Sequence, residues 1–185
     1  MWTAWHPFLN WSTDTLGWSL VILFILTIIC FVILESMARR LVTATAPLGL
    51  ISLELSTTSE QSQEIVASWD EGTREIARQS LWWDYLFIPL YTTTLAILGI
   101  MAAQWFATQQ LTGLSSLCVL LAWCQWLAGL LDFTENSVLL RTLELYPEIP
   151  AGLPRLSSAC ARGKYVLVVL AVVSAFFGLL VSLGS

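Results

Sequence analysis

The chain has 185 residues, of which 57% are hydrophobic and only 11% are charged. A soluble domain carries about 25% charged residues, so this composition excludes an ordinary soluble globular protein. The formal net charge of −5 does not indicate an acidic binding face, because in a membrane protein the placement of charges says more than their sum.

Four apolar runs are each long enough to cross a hydrocarbon core of about 30 Å, which takes about 20 helical residues. They cover about residues 16–37, 81–106, 114–140 and 165–183. Only helices and closed barrels satisfy every backbone group in lipid, and these runs are continuous rather than alternating, so they predict helices. We therefore expect an all-α fold, an integral membrane four-helix bundle that forms a single transmembrane domain over residues 1–185.

The segment before the first run is rich in tryptophan, with Trp2, Trp5 and Trp11. Tryptophan favours the headgroup layer, where its ring is buried and its N–H stays hydrated, so this segment is expected to lie along the membrane surface. The segment also holds His6, the single histidine. Its place outside the spans argues against bis-histidine haem, a histidine-based zinc site or a Ser-His-Asp triad.

All eight basic residues lie in two segments, one between the first and second runs and one between the third and fourth. They are Arg39, Arg40, Arg74, Arg78, Arg141, Arg155, Arg162 and Lys164. By the positive-inside rule, these two long loops face the cytoplasm and both termini lie on the outer side. The basic residues are few and mixed with acids, which argues against a nucleic-acid partner.

The first of these loops, residues 41–80, is expected to be partly helical. Apolar and polar residues alternate over residues 51–55, which predicts a short extended segment. Thr57 and Glu60 fit a capping box, which predicts a helix that begins there and ends near Trp69. A second helical stretch is expected to follow and to continue into the second span.

Acidic residues lie near the ends of three spans, where charge is costly: Glu35, Asp84, Asp132 and Glu135. With both termini outside, all of these acids lie at the cytoplasmic ends of their spans. Antiparallel helices therefore place them at a similar depth in the membrane. Such carboxylates could bind a divalent cation through oxygen ligands, with Asp84, Asp132 and Glu135 as the candidate metal ligands. They could instead share a proton or receive a cationic headgroup.

Helical spacing adds further polar residues to this candidate site. On the third span Gln125, Asp132 and Asn136 share one face, and Asn136 is one turn from Asp132. On the second span Tyr91 lies on the same face as Asp84. We therefore expect Asn136 to join the carboxylates, with Gln125 and Tyr91 as supporting groups.

A purely structural role for these residues stays open. Glu35 has Arg39 one turn further on as a ready partner. Asp132 and Glu135 could pair with Arg141 or with Arg78. Lys164, at the foot of the fourth span, is expected to be exposed and to mark the membrane interface.

Three strings of sequence carry a resemblance to a known group of proteins. They are GLISLEL at residues 49–55, WWDYLFIPLY at residues 82–91 and LLDFTEN at residues 130–136. Over about residues 41–141 the chain resembles a widespread group of uncharacterised bacterial four-helix integral membrane proteins with the patterns S-[LF]-E-L, D-x-L-F-I-P-x-Y and L-x-D-x-x-E-N. The resemblance implies a multi-pass fold in a bacterial inner (plasma) membrane or internal membrane, and it adds Glu54 to the candidate site residues.

The leading functional hypothesis is a non-enzymatic binding or assembly role, in which the acidic cluster binds a cation, a lipid headgroup or a protein partner. One alternative is a membrane enzyme that acts on lipid-linked substrates, with the carboxylates as metal ligands or general base. Another is a subunit of an ion- or proton-coupled transporter, formed as a homo-oligomer. No cofactor is evident, although a divalent cation is possible, and the lipid bilayer is the one partner that the sequence requires.

Overall fold

The computed structural model describes residues 6–183, so Trp2 and Trp5 lie outside the described residues. Its elements are α1 (Thr13–Ala38), a 3₁₀ turn (Arg39–Leu41), α2 (Leu50–Glu54), α3 (Ser59–Ala67), α4 (Glu71–Thr108), α5 (Thr112–Leu145) and α6 (Gly152–Leu183). The predicted all-α class is confirmed.

Within the described residues, four stretches of helix are long and apolar enough to cross a membrane: Thr13–Leu41, Glu71–Thr108, Thr112–Leu145 and Gly152–Ser174. Many of the side chains that remain exposed along them are large and apolar, among them Val21, Ile22, Phe24, Ile25, Ile29, Leu86, Leu120, Leu127, Leu130, Val166, Val169 and Val173. Contact between such an apolar surface and water is unfavourable, whereas contact with lipid is favourable. The chain is therefore a multi-pass helical membrane protein.

Two helices begin well before the apolar runs that predicted them. Helix α4 begins at Glu71, where Asp70 accepts a hydrogen bond from the backbone N–H of Thr73 at 2.7 Å. Hydrogen bonds from Thr73 also lower the pKa of Asp70 below its usual value. Helix α6 begins at Gly152, and Pro154 lies in its first turn, where a missing N–H costs little. Polar residues extend both helices beyond the apolar runs because nothing in them breaks a helix.

The chain forms two compact units. The first comprises residues 1–27, 89–129 and 165–185, and the second comprises residues 28–88 and 130–164. The core of the first unit includes Leu16, Ala96, Ile97, Ile100, Phe106 and Ala122. The core of the second includes Leu41, Leu53, Val66, Trp69, Leu81 and Leu139.

His6 is fully buried in the first unit among aromatic rings. Its ring centroid lies 5.2 Å from that of Phe8, 5.1 Å from that of Trp123 and 5.2 Å from that of Trp126. Nearby, the side-chain amide of Gln104 donates to the backbone oxygen of Leu9 at 3.1 Å. Residues 6–9, the described part of this segment that makes these contacts, are thus packed against the helices of the first unit.

The burial of His6 predicts a pH dependence of stability. Burial lowers the pKa of His6 below 6.5, so the unfolded chain takes up a proton at a higher pH than the folded chain does. The stabilisation is complete above the unfolded pKa and is lost as the pH falls below it. We expect the free energy of unfolding in detergent to decline between about pH 7 and pH 5, and to decline less in His6→Phe. Equal pH slopes in the two proteins would contradict this.

In the second unit, the loop after α1 packs closely against the end of that helix. The indole N–H of Trp69 donates to the backbone oxygen of Leu41 at 2.9 Å. Gly49 has a φ of +59°, and a Cβ there would lie 3.0 Å from the backbone oxygen of Ala38. The position therefore needs glycine, and α2, which follows it directly, begins against the last turn of α1.

Two predictions for this loop were wrong in detail. Residues 51–55 are not extended, because α2 covers Leu50–Glu54 and buries the adjacent Leu53 and Glu54, which an alternating strand would point to opposite faces. The predicted helix is present as α3, which ends at Ala67 near the expected end, but its cap is Thr58 rather than Thr57, since the Thr58 side chain accepts from the backbone N–H of Gln61.

Candidate functional site

Lys164, on α6, lies among carboxylates in the interior of the second unit. Its Nζ is 2.6 Å from Oδ1 of Asp132, 2.9 Å from Oε2 of Glu135 and 3.9 Å from Oε2 of Glu54. Lys164 and Glu54 are each 8% exposed, and Asp132 and Glu135 are still less exposed. The ammonium therefore supplies a positive charge where water does not reach the carboxylates freely.

Asp84 and Asn136 extend this group. The side-chain amide of Asn136 donates to Oδ2 of Asp84 at 2.7 Å. Asp84 is also close enough to Asp132, Lys164 and Glu54 for their charges to act on it. We call the resulting set of six side chains the carboxylate–lysine cluster: Glu54, Asp84, Asp132, Glu135, Asn136 and Lys164.

Helical spacing explains how α5 contributes three members of the cluster. Asp132, Glu135 and Asn136 are three and four residues apart, so they project from one face of the helix. All of them are buried. The sequence predicted this shared face correctly, and the structure shows that it points into the protein.

Glu54 comes from α2, in the loop, rather than from a membrane span. The helix buries Leu53 in the core of the unit, and the next residue is thereby held towards Lys164. The hydroxyl of Ser157, on α6, also donates to the backbone oxygen of Glu54 at 3.4 Å. The resemblance added Glu54 to the candidate residues, and the structure brings it to the same site as Asp132 and Glu135.

Glu135 is the most deeply buried acid of the cluster, with 0% of its surface exposed. Neither side-chain oxygen has a hydrogen-bond partner among the described residues, although Oε2 lies 2.9 Å from the Lys164 Nζ as an ion-pair contact. A buried carboxylate oxygen without a partner is costly when the group is charged. Oε1, which has no such ion-pair contact, is therefore the atom of the cluster where a proton is most favourable.

The arginine partners that the sequence suggested for the acids of α5 are engaged elsewhere. Arg141 pairs with Glu144 at 3.0 Å, one turn along α5. Arg78 pairs with Glu75 at 3.2 Å, on α4. The expected pairing of Asp132 and Glu135 with these arginines is therefore wrong, and Lys164 takes that role.

Glu35 lies on the exposed surface and forms the predicted ion pair: the Arg39 guanidinium contacts its Oε1 at 3.1 Å. The predicted pairing with Arg39 is therefore confirmed, and this ion pair is separate from the contacts of the cluster.

Sequence reasoning missed the role of Lys164. It was expected to be exposed, because it directly precedes the apolar run of the fourth span, but it is buried. The overlooked signal was Pro154, which fits the first turn of a helix. A helix that begins at Gly152 places Lys164 three turns inside it, where a side chain packs against neighbouring helices.

Gln125 and Tyr91 belong to the first unit, whereas the cluster belongs to the second. The amide of Gln125 donates to the backbone oxygens of Leu121 at 3.2 Å and Leu167 at 3.1 Å, so it links α5 to α6. A supporting role for Gln125 and Tyr91 in the cluster stays a prediction.

Within the described part of the chain, no group of three or more His, Cys, Asp or Glu side chains has the arrangement of a metal site. The Lys164 ammonium contacts one oxygen of Asp132 and one of Glu135, both of which were candidate metal ligands. Binding of a divalent cation by Asp84, Asp132 and Glu135 stays a prediction.

A scan against protein-family models, a search of curated proteins and a search of solved structures found no match to this chain. The resemblance to bacterial four-helix membrane proteins stays a prediction. What the cluster does must follow from its own geometry and charge.

Proposed function

We propose that this chain is a non-enzymatic, proton-binding protein of a bacterial inner or internal membrane, and that the carboxylate–lysine cluster is the binding site. The observation that supports it is the ratio of charges. Glu54, Asp132 and Glu135 lie within 3.9 Å of one ammonium, and Asp84 joins the cluster through Asn136, so the formal charge is −3 if every group is ionised. A buried site does not tolerate this excess, so the cluster needs further positive charge.

A proton fits the cluster better than a metal ion does. Mg²⁺ demands near-octahedral coordination by oxygens at about 2.1 Å, and Ca²⁺ takes about six to eight oxygens. The Lys164 ammonium already contacts Asp132 and Glu135 at 2.6 and 2.9 Å. A proton adds no volume and needs no ligand shell, and close carboxylates readily share one. Proton uptake therefore compensates the charge without moving Lys164.

Glu135 is the proposed carrier of the proton, since its Oε1 is buried and has no hydrogen-bond partner among the described residues. In reconstituted protein at neutral pH, we expect the infrared absorption of protonated carboxyl groups, and we expect Glu135→Gln to remove most of it. Glu144→Gln is the matched control, because Glu144 is an exposed acid on the same helix. A band that survives in Glu135→Gln assigns the proton to another acid, and the absence of any band in the wild type would contradict proton binding.

The cluster joins the loop to the spans, which suggests how proton occupancy is used. Glu54 is on α2, Asp84 on α4, Asp132 on α5 and Lys164 on α6, all within the second unit. A change in the charge of the cluster therefore changes the attraction between α2 and Lys164. This supports a binding or assembly role in which a lipid or protein partner and protons influence each other.

The distribution of basic residues supports an orientation with both termini outside and residues 41–80 in the cytoplasm. When the gene is expressed in bacteria, we expect alkaline phosphatase fused after Ser185 to be active and green fluorescent protein fused there to be dark. The reverse result is expected for both reporters fused after Glu60. Fluorescence from the fusion after Ser185 would overturn the orientation.

A further inference from the structure

Helix α2 and the turn before it present large apolar side chains outside the four candidate spans. Leu48 is 58% exposed, Ile51 is 41% exposed and Leu55, the residue after the helix, is 37% exposed. Ile51 and Leu55 are one helical turn apart, and the N–H of Leu55 donates to the oxygen of Ile51 at 3.0 Å. They therefore project from the same side of the helix.

The start of α2 is fixed at the end of the first span by Gly49, which lies against Ala38. Helix α1 has 26 residues, a length of about 39 Å, against a hydrocarbon core of about 30 Å. The last turn of α1, and with it the start of α2, thus lies in or near the headgroup layer. Trp82, 65% exposed near the apolar start of the second span, is typical of this layer.

We propose that α2 lies in the headgroup layer of the membrane, with Leu48, Ile51 and Leu55 in contact with lipid. The occupant of this face is lipid because the face continues from the lipid-exposed end of the first span. The exposed Arg40, in the 3₁₀ turn that follows α1, is complementary to anionic headgroups.

The other side of α2 gives this contact a consequence that rests on the proposed function. Leu53 and Glu54 are buried, and Glu54 lies 3.9 Å from Lys164. Contact between lipid and one side of α2 therefore fixes the position of Glu54, which lies on the other side. In this way the bilayer surface affects the geometry of the proton site.

The test is the depth of α2 in nanodiscs that contain anionic lipid. Spin labels are attached at Ile51→Cys or Leu55→Cys in a chain whose native cysteines are replaced by alanine, and their collisions with oxygen and with a water-soluble nickel chelate are compared. We expect greater access to oxygen at both positions, and the reverse for the control Glu60→Cys, because Glu60 is an exposed residue of α3.

Two results would overturn the proposal. Labels at Ile51→Cys and Leu55→Cys that meet the nickel chelate as readily as the control does would place α2 in water. Immobile labels that neither reagent reaches would show that a protein partner or a second copy covers the face. The measurement does not depend on proton binding, so the same depths are expected in Glu135→Gln. A failure here is therefore distinct from a failure of the proposed function.

Discussion

Lys164→Met should lower the free energy of unfolding by about 3–5 kcal/mol, the usual cost of removing one partner from a buried ion pair. Methionine fills a similar volume, so the loss reflects charge rather than packing. Without the ammonium, Asp132 loses its counter-ion at 2.6 Å and Glu135 loses a polar contact at 2.9 Å, both in a buried site. Reversible unfolding in mild detergent measures the change.

Arg162→Met is the matched control, because Arg162 is an exposed basic residue on the same helix. We expect a change within about 0.5 kcal/mol there. Adding Asp132→Asn and Glu135→Gln to Lys164→Met should recover a large part of the lost stability, since the two acids that contacted Lys164 most closely are then neutral amides. A triple variant that is less stable than Lys164→Met would show that the cluster is not held by charge compensation.

Trp69→Ala should cost about 3–5 kcal/mol, the range for deleting a large buried aromatic side chain. Trp69 is 1% exposed in the core of the second unit, and its indole N–H donates to Leu41. Because this contact holds the loop against the end of α1, we also expect faster proteolysis within residues 42–68. Unfolding in detergent and limited proteolysis measure the two effects.

Two variants separate the contributions of Trp69. Trp69→Phe keeps most of the ring but leaves the backbone oxygen of Leu41 without its donor, for an expected cost of about 1–3 kcal/mol. Trp82→Ala removes an exposed tryptophan and should change stability far less in detergent. A loss in Trp82→Ala equal to that in Trp69→Ala would mean that burial does not determine the cost.

The membrane spans could be predicted from the sequence because a continuous apolar run has few structural alternatives in lipid. The start of α4 was also predicted, as a helical stretch after α3 that continues into the second span, whereas the start of α6 was not, because the polar residues before its apolar run carry no apolar signal. The short α2 was mistaken for an extended segment because five residues are too few to distinguish helical from strand periodicity.

The site was predictable where one helix determined it. Spacing alone places Asp132, Glu135 and Asn136 on one face of α5. Spacing likewise places Arg39 one helical turn from Glu35, with which it pairs. Lys164 was not predictable in the same way, because its contacts depend on how α6 packs against α5. Its position before an apolar run suggested an exposed interface lysine, and only packing distinguishes that from a buried counter-ion.

The cluster also imposes an order on biosynthesis. Lys164 follows Asp132 by 32 residues in the chain and is the last charged residue of the sequence. The acids of a nascent α5 thus leave the ribosome before their counter-ion does. Until α6 enters the membrane, these acids must remain hydrated or protonated. The third helix can therefore reach its final position only after the fourth has been inserted.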